Sequence, residues 1–333
     1  MPELRIDPLS GLRTIVAGER ADRPGAGFSA EAEPPIDPVT DPFLEGHEDR
    51  TPPELYAARS DGAAPDAPGW SVRVVPNLYP ALAGDGGGDS ADADPLAGGR
   101  GDPELFPVRP AVGAHEVIVN APEPVSSLSA LEPDHVERAM GVWRERMRAH
   151  EGASYVHLIL NEGRRAGASL PHTHAQLYAL PFVPSLVARE RERFTAYAHR
   201  THGRNLLADL LQEEVRLGER MVALDSEAVA ICPFASRVPF QIQLIPRRAR
   251  ARYEEDGPLG AALLIEVMRR LGAVLGAVPP LNLWVRTAPR GAEYFCWRID
   301  LLPRLTHVAG LEMGAGVNLN VLPPERAAGL LRG

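Results

Sequence analysis

The densest chemistry in the sequence lies in the run Ser169-Leu170-Pro171-His172-Thr173-His174-Ala175-Gln176. Read as an extended strand, it puts His172, His174 and Gln176 on one face and Thr173, Ala175 and Leu177 on the other. Three polar groups on one face fit a site better than a core. A neutral imidazole, with an ordinary pKa of about 6.5, is a nucleophile near neutral pH. His174 attacking phosphorus would form a phosphoramidate and split a group transfer into two steps. An uncharged amide such as Gln176 can donate to a phosphoryl oxygen without lowering the nucleophile's basicity. Upstream, the loop from Asn161 to Ser169 offers backbone N–H groups and a hydroxyl to a diphosphate. The same His-x-His spacing suits metal ligands, so the spacing alone leaves nucleophile and ligand both open.

The elements that must position these groups recur along the chain. The apolar pattern predicts a strand at 115–119, a helix at 133–150, and strands at 155–161 and 172–180. It predicts a second set at 241–245, 259–275, 281–287 and 296–302. A shift of 124 residues sets Cys296 opposite His172, Arg298 opposite His174, Asp300 opposite Gln176 and Gln241 opposite Val117. Internal duplication follows: an α+β fold of two like units, mainly antiparallel sheet with helices packed on it. The expected units are 1–184, carrying the nucleophile, and 185–333, comprising a linking helical stretch to about Met221 and the degenerate repeat. Trp70 to Pro80 reads as a strand running into a turn, with Asn77 and Tyr79 at its exit. Segments 21–42 and 82–103, crowded with Gly, Pro, Ala and Asp, read as surface loops.

A chain of 333 residues exceeds the usual reach of one core. Its net charge of -9 argues against sequence-independent nucleic-acid binding, which needs a basic face. Cys232 and Cys296 stand far apart, giving neither a disulfide framework nor a cysteine zinc site, and a reduced cytoplasm is the expected home. The stretch 260–278 is broken by Glu266, Arg269 and Arg270, so no membrane span is expected.

The ordered motifs extend over nearly the whole chain: Arg5-Ile6-Asp7-Pro8-Leu9-Ser10-Gly11, Glu48-Asp49-Arg50-Thr51-Pro52-Pro53-Glu54, Val75-Pro76-Asn77-Leu78-Tyr79-Pro80, the Asn161–Gln176 segment, Pro233-Phe234-Ala235-Ser236-Arg237 and Leu302-Pro303-Arg304-Leu305-Thr306. In these the chain resembles the galactose-1-phosphate uridylyltransferases, a branch of the histidine-triad superfamily built from two fused half-repeats. The resemblance implies a transferase moving UMP from UDP-glucose to a hexose 1-phosphate, galactose 1-phosphate foremost. It makes His174 the uridylylated nucleophile, Gln176 the holder of the α-phosphoryl group, and the His172 carbonyl the group that orients the imidazole. It gives Asn161, Ser169, Arg20 and Arg23 to the phosphates and Asn77, Leu78 and Tyr79 to the nucleoside. Glu312 matches a glutamate that reaches the hexose from the partner subunit, which implies a homodimer.

The departures from the family pattern carry expectations of their own. Asp41-Pro42-Phe43-Leu44 stands where the family commonly has Cys-Pro-x-Cys, so both thiolates of its usual zinc site are gone. No cofactor is expected, and Asp41, His115 and His172 remain as the candidate ligands of a reduced zinc site. The family's second metal site would fall near Ala249, Cys296 and Arg298, none of them histidine. Thr173 replaces the usual proline, where relatives that act as ADP-sugar phosphorylases have a small hydroxyl residue, and an ADP-sugar or dinucleoside phosphorylase using the same covalent mechanism is the alternative activity. A nonenzymatic nucleotide-sugar binding protein is the alternative of another class. His157, between Val156 and Leu158, reads as structural; Trp70 and Trp297 read as core aromatics.

Overall fold

The structure, a computed structural model, describes residues 1–22, 27–59, 64–84, 105–106, 108–257 and 260–333. Arg23, part of the 21–42 segment and most of 82–103 lie outside the described residues. The N-terminal part supplies β1 (Glu3–Ile6), β2 (Arg13–Val16), β3 (Tyr56–Arg59), β4 (Trp70–Pro76) and β5 (Ala114–Val119). Helix α1 (Pro133–Ala149), β6 (Tyr155–Glu162) and β7 (His174–Leu180) follow. Two helices, α2 (Ser185–Arg200) and α3 (Leu206–Leu217), lead to β8 (Met221–Leu224), β9 (Ala228–Ile231) and β10 (Ile242–Pro246). Helix α4 (Ala261–Leu275), β11 (Leu281–Arg286), β12 (Arg298–Pro303), α5 (Gly310–Ala315), β13 (Val317–Asn320) and α6 (Pro324–Arg332) complete the chain.

Among the described residues, ten strands form one sheet in the order β3-β4-β5-β7-β6-β11-β12-β10-β9-β8. All its pairings are antiparallel. Read inward from its two edges the order is the same, β3 answering β8 and β7 answering β12, with β6 and β11 meeting at the centre. The register refines the sequence repeat. Gln176 lies opposite Val117 and Ile159, and Asp300 lies opposite Gln243 and Trp284. Val117 therefore corresponds to Gln243 rather than Gln241, because the connections within the two units differ in length. A smaller sheet, β1-β2-β13, ties the first strands to the last.

Period-2 alternation decides which face of the large sheet is core. In β6, Val156, Leu158 and Leu160 are buried, while His157, Ile159 and Asn161 on the other face are half-buried. Val136, Met140, Trp143 and Met147 recur at helical spacing in α1 and pack with Leu264, Met268 and Leu271 of α4 against Leu158, Leu177, Leu283 and Leu301. Each such side chain contributes about 1.5–3 kcal/mol on burial. Helices α1 and α4 so cover one face of the sheet, and the opposite face carries the polar row, covered by α2 and α3 only over the second unit.

Two sequence expectations are corrected. The helical stretch from Ser185 to Met221 is two helices, broken where His202 and Gly203 take φ of 56° and 94°. The Asn205 side chain then starts α3 by accepting from the Leu207 and Ala208 N–H groups. Strand β7 begins at His174, so His172 precedes it in a bend. No helix among the described residues is long and apolar enough to cross a membrane.

Candidate active site

Strand β7 lies between β5 and β6, and this fixes its two faces. Ala175, Leu177 and Ala179 enter the core, whereas His174, Gln176 and Tyr178 point to the uncovered side. His174 is 4% exposed, its ring edge-on to Phe43 with centroids 5.1 Å apart. Its Nδ1 lies 2.7 Å from the His172 carbonyl oxygen. A carbonyl can only accept, so the proton sits on Nδ1 and Nε2 keeps its lone pair. Burial pushes the His174 pKa down; the hydrogen bond to His172 works against that without cancelling it. The ring is thus held neutral, in one tautomer, with its nucleophilic nitrogen free of any described partner.

His172 differs in having both ring nitrogens engaged. Its Nε2 lies 2.8 Å from the Ala121 carbonyl oxygen and its Nδ1 lies 2.7 Å from Asp41 Oδ2. Burial raises the Asp41 carboxyl, but the hydrogen bond and charge of His172 outweigh it and hold the pKa below the ordinary carboxylate value. Both nitrogens of His172 are spent, and what it presents to His174 is its carbonyl.

These contacts test the reduced zinc site. In a tetrahedral zinc site, with bonds of about 2.0–2.2 Å, ligand atoms stand roughly 3.3 Å apart or more. The direct 2.7 Å contact between Asp41 and His172 leaves no room for an ion between them. The third candidate, His115, accepts the Ala81 N–H on Nδ1 at 3.1 Å and turns Nε2 to Gln176 Oε1 at 3.0 Å. No group of three metal-binding side chains converges among the described residues. The residues present do not fit zinc: Asp41 and His172 satisfy each other, and His115 is engaged by Ala81 and Gln176.

Other residues singled out in the sequence fall at varying distances from this centre. Asn77 reaches the His115 ring, with its Nδ2 3.1 Å from Nε2, while its own Oδ1 accepts the Tyr79 N–H. Leu78 and Tyr79 beside it are 60% and 85% exposed, so as side chains they are open to a ligand. Asn161 shares the open face and accepts from Asn282 Nδ2 at 2.8 Å. Ser169 and Arg20 are exposed. Glu312 sits in the first turn of α5 and accepts the Ala309 N–H at 3.0 Å; no described contact joins it to β7.

Thr173 points the opposite way from His174. It is 1% exposed, donates to Glu162 Oε1 at 3.2 Å and accepts from Asn120 Nδ2 at 3.2 Å. Burial drives Glu162 up to about 7, against hydrogen bonds from Leu128 N–H, Ser127 and Thr173. Thr173 therefore supports the strand from behind, with its hydroxyl spent on Glu162 and Asn120. His157, pushed down to about 4 by burial and the Arg286 charge, stacks on Tyr155 as a structural residue.

The sequence left several of these neighbours unnamed. Tyr178 could have been found from alternation alone, two residues beyond Gln176. Asn120, Glu162 and Glu190 could not, because each meets its partner only through the fold. In the second unit Arg298 donates from both terminal nitrogens to Glu190 at 3.1 Å and faces Asp300 from Nε at 3.1 Å. Asp300 also accepts from Gln243 and Trp284. Desolvation opposes the Arg298 charge, but the two carboxylates overcome it and raise its pKa. Cys296 is pushed up to about 11 by burial and stays a thiol.

Residues 1–184 match the family described as galactose-1-phosphate uridyl transferase, N-terminal domain. The chain is 29% identical to an ADP-glucose phosphorylase of Arabidopsis thaliana, covering 99% of this chain and 92% of that protein. It is 28% identical to a galactose-1-phosphate uridylyltransferase of Haemophilus influenzae, covering 99% and 94%. Among solved structures, the Arabidopsis thaliana ADP-glucose phosphorylase with bound ADP-glucose superimposes with a TM-score of 0.79 at 26% identity, covering 100% of this chain and 99% of that one.

Proposed function

Because the chain belongs to the galactose-1-phosphate uridyl transferase family, we propose that it transfers a nucleoside monophosphate from a nucleotide sugar through a covalent adduct on His174. The observation that carries this reading is the His174 ring itself: neutral, fixed by the His172 carbonyl, and with Nε2 unpartnered. In the first step Nε2 attacks the α-phosphorus of the donor, an N–P bond forms, and the bond to the bridging oxygen breaks so that the sugar 1-phosphate leaves. The imidazolium charge that develops is drawn off by the Nδ1–H bond to the His172 carbonyl, which Asp41 holds in place through the His172 ring. In the second step an acceptor phosphate oxygen attacks the same phosphorus and the N–P bond breaks, restoring the neutral ring. Asn77, Leu78 and Tyr79 would receive the nucleoside, and Asn161, Ser169, Arg20 and Arg23 the phosphates. Residues 1–184 form the unit that carries the nucleophile in this reading. Glu312, without a described contact to β7 in its own chain, would meet the sugar from a second copy in a homodimer.

Two donor and acceptor pairs share this first step. One is UDP-glucose with a hexose 1-phosphate such as galactose 1-phosphate. The other is an ADP-sugar with inorganic phosphate, favoured by the end-to-end similarity to the ADP-glucose phosphorylase. Incubation with UDP-glucose or ADP-glucose in separate tubes, followed by intact-mass measurement, separates them. One added UMP supports the uridylyl reading and one added AMP the adenylyl reading. Binding without an adduct from either donor would sink the covalent mechanism and leave a nucleotide-sugar binding protein.

A further inference from the structure

Gln176 makes two contacts that decide how its amide is turned. His115 Nε2 lies 3.0 Å from its Oε1, and the Tyr178 hydroxyl donates to the same oxygen at 2.9 Å. The tautomer of His115 follows from its surroundings. Its Nδ1 faces the Ala81 N–H at 3.1 Å, a group that can only donate, so Nδ1 accepts and the proton is on Nε2. The opposite tautomer would set Nδ1–H against the Ala81 N–H and turn a lone pair toward Gln176 Oε1, failing two contacts. The tautomer assigned here fails one, the 3.1 Å approach of Asn77 Nδ2. The His115 ring is held flat on Tyr178, with centroids 4.1 Å apart and planes 23° from parallel. Burial pushes the Tyr178 phenol up, so it remains a donor.

We propose that His115 and Tyr178 are positioning residues that pin the Gln176 carbonyl oxygen, so that the Gln176 amide nitrogen is turned toward the phosphoryl group on His174. Among the described residues that nitrogen has no hydrogen-bond partner, and it lies on the open face of β7 two residues from the nucleophile. A free glutamine amide presents oxygen or nitrogen with nearly equal ease, and an oxygen turned toward a phosphoryl group repels it. Two donors on the oxygen remove that ambiguity before substrate arrives, which is the preorganisation that phosphoryl transfer depends on. His115 is thus a donor to an amide in this chain, where the family resemblance would make it a metal ligand.

The proposal rests on the nucleotidyl-transfer reading and is tested by a double-mutant cycle on the rate of His174 nucleotidylation, followed by intact mass with UDP-glucose and ADP-glucose. Gln176→Ala is expected to slow the step about 100-fold, and His115→Phe, which keeps the stacking and loses the donor, about 10-fold or more. The two together should be no slower than Gln176→Ala by more than about threefold, since His115 acts through Gln176. His115→Gln, which can place an amide N–H near the lost Nε2–H, should recover most of the rate. Multiplicative losses in the double variant, or full activity in His115→Phe, would overturn the proposal. Nitrogen NMR of the His115 imidazole in the unliganded protein reads the same arrangement without any reaction. An Nε2–H tautomer that persists in Gln176→Ala but loses its hydrogen-bond shift is expected, and an Nδ1–H tautomer would refute it even if neither donor loads the protein.

Discussion

Strands β7 and β12 occupy equivalent places in the sheet and have opposite characters. In β7 the outward residues are His174, buried but with Nε2 lacking any described partner, and Gln176 and Tyr178, half-buried and oriented by hydrogen bonds. In β12 they are Arg298 and Asp300, both buried and closed by Glu190 from α2. The positions that would hold metal in the family have been resolved in the two units by similar means, a direct contact between a nitrogen base and a carboxylate: His172 with Asp41 in one, Arg298 with Glu190 in the other. In the first unit that contact ends on a carbonyl that holds the His174 ring with Nε2 unpartnered. In the second it ends in a filled network. The shared fold leaves a neutral lone pair unspent in only one of these two strands.

The largest break in this comparison is expected from the paired substitutions His174→Ala and Arg298→Ala. The first should abolish the nucleotidyl adduct by intact mass while leaving thermal stability within about 1 kcal/mol of wild type. The second should keep adduct formation in the folded fraction within a few-fold, but lower stability by about 3–5 kcal/mol in denaturant titration, because Glu190 and Asp300 lose a buried cation. An Arg298→Ala protein as stable as wild type would mean that the second network is not structural.

Asp41→Asn sharpens the role of the first ion pair. It should slow nucleotidylation by about 10–100-fold, the range for an outer partner that orients a reactive histidine. Added zinc should not restore the rate, since the site lacks the geometry for it. Restoration by zinc would show that Asp41 and His172 do hold a metal.

The smallest effect is expected at Glu162, behind the nucleophile strand. Its folded pKa, about 7, lies above the ordinary 4.5, so its contribution to stability is full below pH 4.5 and is lost as pH rises through about 7. Glu162→Gln should remove that loss and gain on the order of 1–3 kcal/mol at about pH 8 relative to wild type, measured by denaturant melts at several pH values. A variant whose pH dependence matches wild type would show that Glu162 is already charged in the fold.

Local sequence determined a good deal of this. Alternation in 174–180 settled which side chains face out, the recurring strand-helix-strand pattern settled the duplication, and the His-x-His-x-Gln run marked the strand that carries the candidate nucleophile. These are properties of neighbouring residues and of a period, which a linear reading contains. The fold decided what depends on distant residues meeting: Asp41 on His172 across 131 positions, His115 on Gln176 across 61, Glu190 on Arg298 across 108. It also decided that Thr173 faces Glu162 behind the strand, and that the repeat slips from Gln241 to Gln243. The spacing could not say whether His172 was a ligand or a support. That answer required knowing that a carbonyl and a carboxylate take both of its nitrogens, and only packing brings those two oxygens to one ring.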